Sequence, residues 1–109
     1  MPQTLIFTAT YNEKGNVSNL VNQINYISRD LDILIVDDNS PDGTGEILNN
    51  LMNNHNNLKV IHRENKSGLD TAHKFGFEYA REKNYEKFIT MDADLSHEPK
   101  EIPKILEIL

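Results

Sequence analysis

Asp92 and Asp94, in the stretch FITMDADLSHEP at residues 88–99, are the side chains in this sequence best placed to do chemistry. An apolar run ends abruptly on them, and Ser96 and His97 follow. At a strand end, positions i and i+2 face the same side. Two ionised carboxylates about 5 Å apart repel by roughly 3 kcal/mol at an effective dielectric of ~20. A cation, a shared proton or full solvation must offset that repulsion. Hard oxygen ligands without His or Cys favour Mg²⁺ or Mn²⁺. Mg²⁺ in particular takes few protein carboxylates and completes its shell with water and substrate phosphates. Taken alone, the same Asp-x-Asp reads equally well as a turn that favours aspartate.

Three further polar groups have comparable form. Asp37 and Asp38 open the segment DDNSPDGT at 37–44. In a nucleotide-binding βαβ unit, an acidic residue at that point accepts hydrogen bonds from a ribose or base. Asp37 is read as the ligand-facing carboxylate and Asp38 as the one that holds the loop; the bland alternative is an Asx turn. Ser40-Pro41-Asp42-Gly43 is turn chemistry, with Asp42 also capping the next helix. The segment TYNE at 10–13 offers a ring, an amide and a carboxylate. Tyr11 suits stacking on a flat base, and Glu13 suits acceptance from a base or sugar donor. Asn12 and Glu13 equally suit a helix N-terminus. The segment RENKSGLD at 63–70 places Arg63 and Lys66 before a glycine turn. Backbone amides and a lysine there suit a phosphate, against a solvated loop with a Ser67-to-Asp70 capping box. His97 could touch such a phosphate or bond its own loop. His55, His62 and His73 are scattered and suggest no histidine metal site. No Ser-His-Asp or Cys-His grouping is present, and the G-x-G-x-x-G fingerprint is missing from the first turn.

These groups share a position relative to the elements that must carry them. Four short apolar runs, at 4–10, 32–38, 58–63 and 87–94, are rich in β-branched and aromatic residues and are nearly continuous. That pattern belongs to strands covered on both faces. Between them, apolar residues recur at helical spacing: Val17, Leu20, Val21, Ile24 and Ile27; then Ile47, Leu48, Leu51 and Met52; then Ala72, Gly76, Tyr79 and Ala80. A last helix is expected over EPKEIPKILEIL, with Pro99 in its first turn and a stripe of Ile102, Ile105, Leu106 and Leu109. Four strand–helix repeats predict an α/β domain with a parallel sheet. Right-handed crossovers leave few topologies; of these, strand order 3-2-1-4 is expected, with helices on both faces and a switch point between strands one and four. Every polar group then falls at a strand's C-terminal end, the edge where open α/β sheets bind ligands.

Bulk properties narrow the classes. The chain of 109 residues suits one domain. A net charge of −6 without a basic tract argues against a nucleic-acid partner. The absence of cysteine excludes disulfides and thiolate metal sites and fits a reducing compartment. No apolar run approaches the roughly 20 residues of a membrane helix, and the N-terminus lacks signal-peptide features. A cytoplasmic location is expected.

The ordered set T-Y-N-E, V-D-D-N-S-P-D-G-T, R-x-x-K-x-G-L and M-D-A-D-L-S-H-x-P resembles the family-2 glycosyltransferases, most closely their dolichol-phosphate mannosyltransferase (polyprenol monophosphomannose synthase) branch. The resemblance runs through essentially the whole chain. It implies a GT-A (Rossmann-like) fold, a GDP-mannose donor and a dolichyl or polyprenyl phosphate acceptor at the cytosolic membrane face. By motif match it implies that Ala9, Tyr11 and Glu13 line the nucleotide and that Ile35 and Asp37 contact base and ribose; Lys66, read above as suited to a phosphate, would help stabilise the departing diphosphate. Asp92, Ala93 and Asp94 would meet ribose and diphosphate, and Asp92, Asp94 and Ser96 would hold Mg²⁺ or Mn²⁺, with Asp94 as the catalytic ligand. Three departures stand out. Ala9 replaces a common proline, Asp70 replaces a usual glycine, and the chain stops at Leu109 where such enzymes continue. Residues 1–109 are therefore read as a nucleotide-sugar-binding half, truncated relative to the full fold, and the apolar side of its last helix predicts self-association.

The chemistry implied is a single displacement at the anomeric carbon by an acceptor phosphate oxygen, with inversion. That oxygen is already anionic at neutral pH, so no strong general base is required. Alternatives are a UDP-glucose-dependent polyprenyl-phosphate glucosyltransferase, a catalytically incomplete nucleotide-binding module, and a non-nucleotide α/β domain with a receiver-type Mg²⁺ site.

Overall fold

The computed structural model describes residues 4–11, 14–27, 31–38, 41–63, 69–91 and 107–108. Strands β1 (Thr4–Thr10), β2 (Leu31–Asp37), β3 (Leu58–His62) and β4 (Lys87–Thr90) alternate with helices α1 (Val17–Ile27), α2 (Thr44–Asn54) and α3 (Leu69–Glu82). β1 pairs in parallel with both β2 and β4, and β2 with β3, so the order β3-β2-β1-β4 follows the expected topology. No described helix is long and apolar enough to cross a membrane.

The continuous apolar runs become strands because both faces of the sheet are covered. Ile6, Ile33, Ile35, Val60 and Ile89 pack on one side against Val17, Leu20, Val21 and Ile24 of α1 and Leu48 of α2. Leu5, Phe7, Leu34, Val36 and Phe88 pack on the other against Ala72 and Ala80 of α3. Alternate residues of one strand therefore feed two cores. Gly76 lets α3 approach β1 closely: a Cβ placed there would lie 2.4 Å from Cδ1 of Phe7. α3 ends with Asn84 in the left-handed region at φ 65°, where Asn is tolerated. The Tyr85 amide returns to the Ala80 carbonyl at 3.0 Å and the Asn84 amide to Arg81 at 3.1 Å, satisfying carbonyls the helix end leaves open.

Two differences from the sequence reading stand out. β4 covers Lys87–Thr90 with Met91 already outside the strand, and residues 92–94 of the expected run lie outside the described residues. The last helix does not extend through residues 107–108, which form β5 (Glu107–Ile108), antiparallel to β4, with Lys87 opposite Ile108 and Phe88 opposite Glu107. The physical reason is the row of unpaired backbone groups on β4, which an added strand satisfies. Residues 107–108 thus lie in the sheet, while the expected stripe of Ile102, Ile105, Leu106 and Leu109 lies outside the described residues. The rest of that expected helix lies outside the described residues.

Candidate functional site

All four parallel strands end on the same edge of the sheet, and their register sets what stands there. Thr10 lies opposite Asp37, and Asp37 opposite His62. Tyr11, Asp38 and Arg63 come next along their segments. On the far side of β1 the chain leaves β4 through Met91, whose amide donates to the Phe7 carbonyl at 2.9 Å. The ends of β1, β2 and β4 thus share one rim.

Asp37 is almost wholly buried. Its Oδ1 accepts the Thr10 hydroxyl at 2.7 Å. Oδ2 lies beside the first turn of α2, 3.6 Å from where a Cβ on Gly45 would sit. A buried carboxylate needs donors or positive potential, and the helix N-terminus supplies the latter. Ile35, two residues earlier on the same face, is fully buried in the α1/α2 core below the rim. Ala9 is half-buried on the α3 side. Tyr11 is 38 % exposed at the rim.

Asp38 has a different environment. Arg63 grips it with two parallel bonds, Nε to Oδ1 at 2.5 Å and Nη2 to Oδ2 at 2.7 Å. Nη1 of Arg63 also donates to the Thr71 hydroxyl of α3 at 3.1 Å, and the Arg63 amide donates to the Asp37 carbonyl at 2.8 Å. Hydrogen bonding to Asp38 pushes the guanidinium pKa up, against a smaller opposing effect of burial. Arg63, read from sequence as a phosphate cation, is thus engaged as a clamp between the ends of β2 and β3 and the start of α3. Asp42 makes a second tie. Its Oδ2 accepts the Lys14 amide at 3.1 Å, and its Oδ1 accepts the Thr44 amide at 3.0 Å and the Thr44 hydroxyl. These bonds, the Thr44 hydroxyl foremost, hold its carboxyl below the ordinary value. Asp42 acts one residue before the helix cap, which is Gly43 at φ 95°, a left-handed conformation that suits glycine.

Glu13, Lys66, Asp92, Ala93, Asp94, Ser96 and His97 lie outside the described residues. So do Asn12 and Ser67, hence both expected capping arrangements. Among the described residues no group of three His, Asp or Glu side chains is placed to hold a metal. Sequence reading missed Thr8 and Thr10, whose buried hydroxyls tie β4 and β2 to β1. A threonine in an otherwise apolar buried strand was the signal available.

A surface groove lies at the opposite end of the sheet, lined by Asn22, Asn25, Tyr26, His55 and Asn57 among others. Its amides bond one another and the backbone: Asn57 Nδ2 donates to Asn25 Oδ1 and to the Leu31 carbonyl, each at 2.7 Å. That internal bonding, and the distance from every strand C-terminus, separate it from the acidic rim.

Residues 5–109 match the family model described as glycosyl transferase family 2. The chain is 37% identical over 106 residues to a polyprenol monophosphomannose synthase of Mycolicibacterium smegmatis, covering 96% of this chain and 40% of that protein. It is 38% identical over 106 residues to a dolichol-phosphate mannosyltransferase of Pyrococcus furiosus, covering 95% and 29%. Its fold is similar to that of mannosyltransferase PcManGT from Pyrobaculum calidifontis, solved in complex with GDP-Man and Mn²⁺. The TM-score is 0.71 at 23% identity, covering 85% of this chain and 28% of that one. The chain therefore spans less than half the length of each of these relatives.

Proposed function

From the premise that this chain belongs to glycosyl transferase family 2, we propose that its acidic rim is the donor site of an inverting mannosyltransferase. The enzyme moves mannose from GDP-mannose to a dolichyl or polyprenyl phosphate presented at a membrane surface. Residues 1–109 form its donor- and metal-binding part. The observation that carries this reading is the parallel order β3-β2-β1-β4, which brings Tyr11, Asp37 and the exit of β4 toward Asp92 to one edge. The names of the relatives supply the sugar and the acceptor class.

In this reading Tyr11 meets the base, Asp37 serves the nucleoside side, and Lys66 assists at the phosphates. Asp92, Asp94 and Ser96 present hard oxygen donors suited to Mg²⁺ or Mn²⁺. When bound, such an ion stabilises charge on the departing diphosphate. An anionic acceptor oxygen attacks the anomeric carbon. The new C–O bond forms as the bond to the nucleoside diphosphate breaks, with the electron pair leaving on the diphosphate. One displacement inverts the centre, and no protein nucleophile is required.

Calorimetric titration of the 109-residue chain with GDP, then UDP, each with Mn²⁺, tests the site. Saturable binding that prefers GDP and is abolished in Asp94→Asn is the expected result. Saturation by neither nucleotide would refute the donor-site reading, and a preference for UDP would move the donor to a uridine sugar. In an enzyme carrying the complete catalytic domain, Asp94→Asn is expected to abolish mannosyl transfer.

A further inference from the structure

We infer that Asn57, Asn25 and His55 form an acid-sensitive tie at the end of the sheet opposite the rim, closed while His55 is neutral and opened by its protonation. The three side chains come from three places. Asn25 stands in the last turn of α1, His55 caps the C-terminus of α2, and Asn57 lies in the link to β3. Nδ2 of Asn57 donates to the Leu31 carbonyl at the start of β2 and to Oδ1 of Asn25, each at 2.7 Å. Nδ2 of Asn25 lies 3.2 Å from Nδ1 of His55. The backbone is engaged at the same place: the Asn57 carbonyl accepts the Ile33 amide at 2.8 Å, and the His55 carbonyl accepts the Leu58 amide at 3.2 Å.

The Leu31 carbonyl fixes the polarity of the whole chain of bonds. A carbonyl only accepts, so the Asn57 atom beside it must be the amide nitrogen. Both hydrogens of that nitrogen are then engaged, so the Asn25 atom facing it must be the oxygen. The Asn25 nitrogen is thereby turned to His55, and Nδ1 must offer it a lone pair. His55 is held in the neutral form with its hydrogen on Nε2. Protonation places a hydrogen on Nδ1 as well, against those of the Asn25 amide. Turning that amide over would set its nitrogen against the Asn57 nitrogen, and Asn57 cannot turn without losing Leu31. The bond between α1 and α2 therefore opens. No described charge stands by to offset this. Asn22, Tyr26, Asn54 and Asn56 complete the groove around the three, and the Tyr26 phenol is the one other titratable group among them. α1 carries no charged residue, and Glu46 of α2 lies in its first turn, at the other end. Asp32 of β2 accepts the Tyr85 hydroxyl on the opposite face of the sheet, and Lys59 of β3 alternates with Leu58 and Val60, which face the α1/α2 core.

Long-range proton–nitrogen correlation spectra of the imidazole rings read the tautomer directly. At neutral pH His55 is expected to carry its hydrogen on Nε2 alone. A ring protonated at Nδ1, or a mixture of the two forms, would overturn the inference. Asn57→Ala touches no atom of His55 but frees the Asn25 amide to turn over, so it is expected to admit the Nδ1–H form. An unchanged tautomer in that variant would show that Asn57 does not set the polarity and would sink the proposed tie. Acid sensitivity is read by urea unfolding of wild type and His55→Gln across pH; the remaining histidines are common to both and cancel. An unfolded histidine takes up its proton near about pH 6.5. Below that the unfolded state binds more protons than the closed tie, so stability falls with pH. Between roughly pH 7.5 and pH 5 the wild type is expected to lose about fivefold in its folding equilibrium constant relative to His55→Gln, the equivalent of one ordinary hydrogen bond. The same pH dependence in both proteins would overturn the acid sensitivity. The tautomer of the wild type decides the inference even where a variant folds poorly, and none of these readouts depends on nucleotide binding at the rim.

Discussion

Replacing Arg63 by Met would test what holds the rim together. Methionine keeps much of the apolar stem but removes the fork that grips Asp38. The pair is well shielded, with side-chain exposures of 17% for Arg63 and 8% for Asp38. Breaking a fully buried ion pair costs about 3–5 kcal/mol, because the remaining charge stays desolvated. The residual exposure of Arg63 lets water reach part of the vacated space, so about 2–4 kcal/mol is expected here. For a domain of this size that is a large share of a total stability of about 5–15 kcal/mol. It would lower the melting temperature by roughly 10–20 °C. Urea unfolding of Arg63→Met, Asp38→Asn and the double variant measures it. The double variant should recover part of the loss, since the uncompensated charge is gone. Arg63→Met within about 0.5 kcal/mol of wild type, the range of ordinary surface substitutions, would show that the Asp38 carboxylate is solvated and that the clamp is not structural.

Two further outcomes follow from particular contacts. Gly76→Ala places a Cβ 2.4 Å from Phe7 Cδ1, where carbon atoms prefer roughly 3.5 Å. Overpacking by about 1–3 kcal/mol outweighs the ~1 kcal/mol gain in helix propensity. Urea unfolding should show a net loss of up to about 2 kcal/mol that Phe7→Leu relieves in the double variant. Asp42 has a folded pKa below its ordinary 3.8, so its contribution is present above the unfolded pKa and lost as pH falls through the lower folded value. The stability difference between wild type and Asp42→Asn should therefore be constant above roughly pH 5 and shrink in acid, as thermal melts across pH would report.

Much of this molecule is legible in its sequence, for reasons that particular residues make plain. Leu34, Ile35 and Val36 run unbroken because neighbouring positions bury on opposite faces, so a continuous apolar run identifies a strand with two covers. Val17, Leu20, Val21 and Ile24 each lie in the core, at the spacing one helix face requires. Crossover handedness leaves few topologies, and the expected one among them, β3-β2-β1-β4, is the order observed. The C-terminal stretch shows where local reading fails. The run ILEIL at 105–109 suits a helical stripe or alternation equally, and the open edge of β4 draws Glu107–Ile108 into the sheet.

The sequence by itself determined the α/β alternation, the acidic character of the strand C-termini and the membership of a glycosyltransferase family. Local composition and spacing carry all three. Only the tertiary structure decided that Arg63 holds Asp38, that Thr10 donates to Asp37 and that Thr8 holds the Met91 carbonyl. Each of those bonds joins segments between 25 and 83 residues apart. Their partners become neighbours only when strand register is set, and register is a property of the assembled sheet that no single segment encodes.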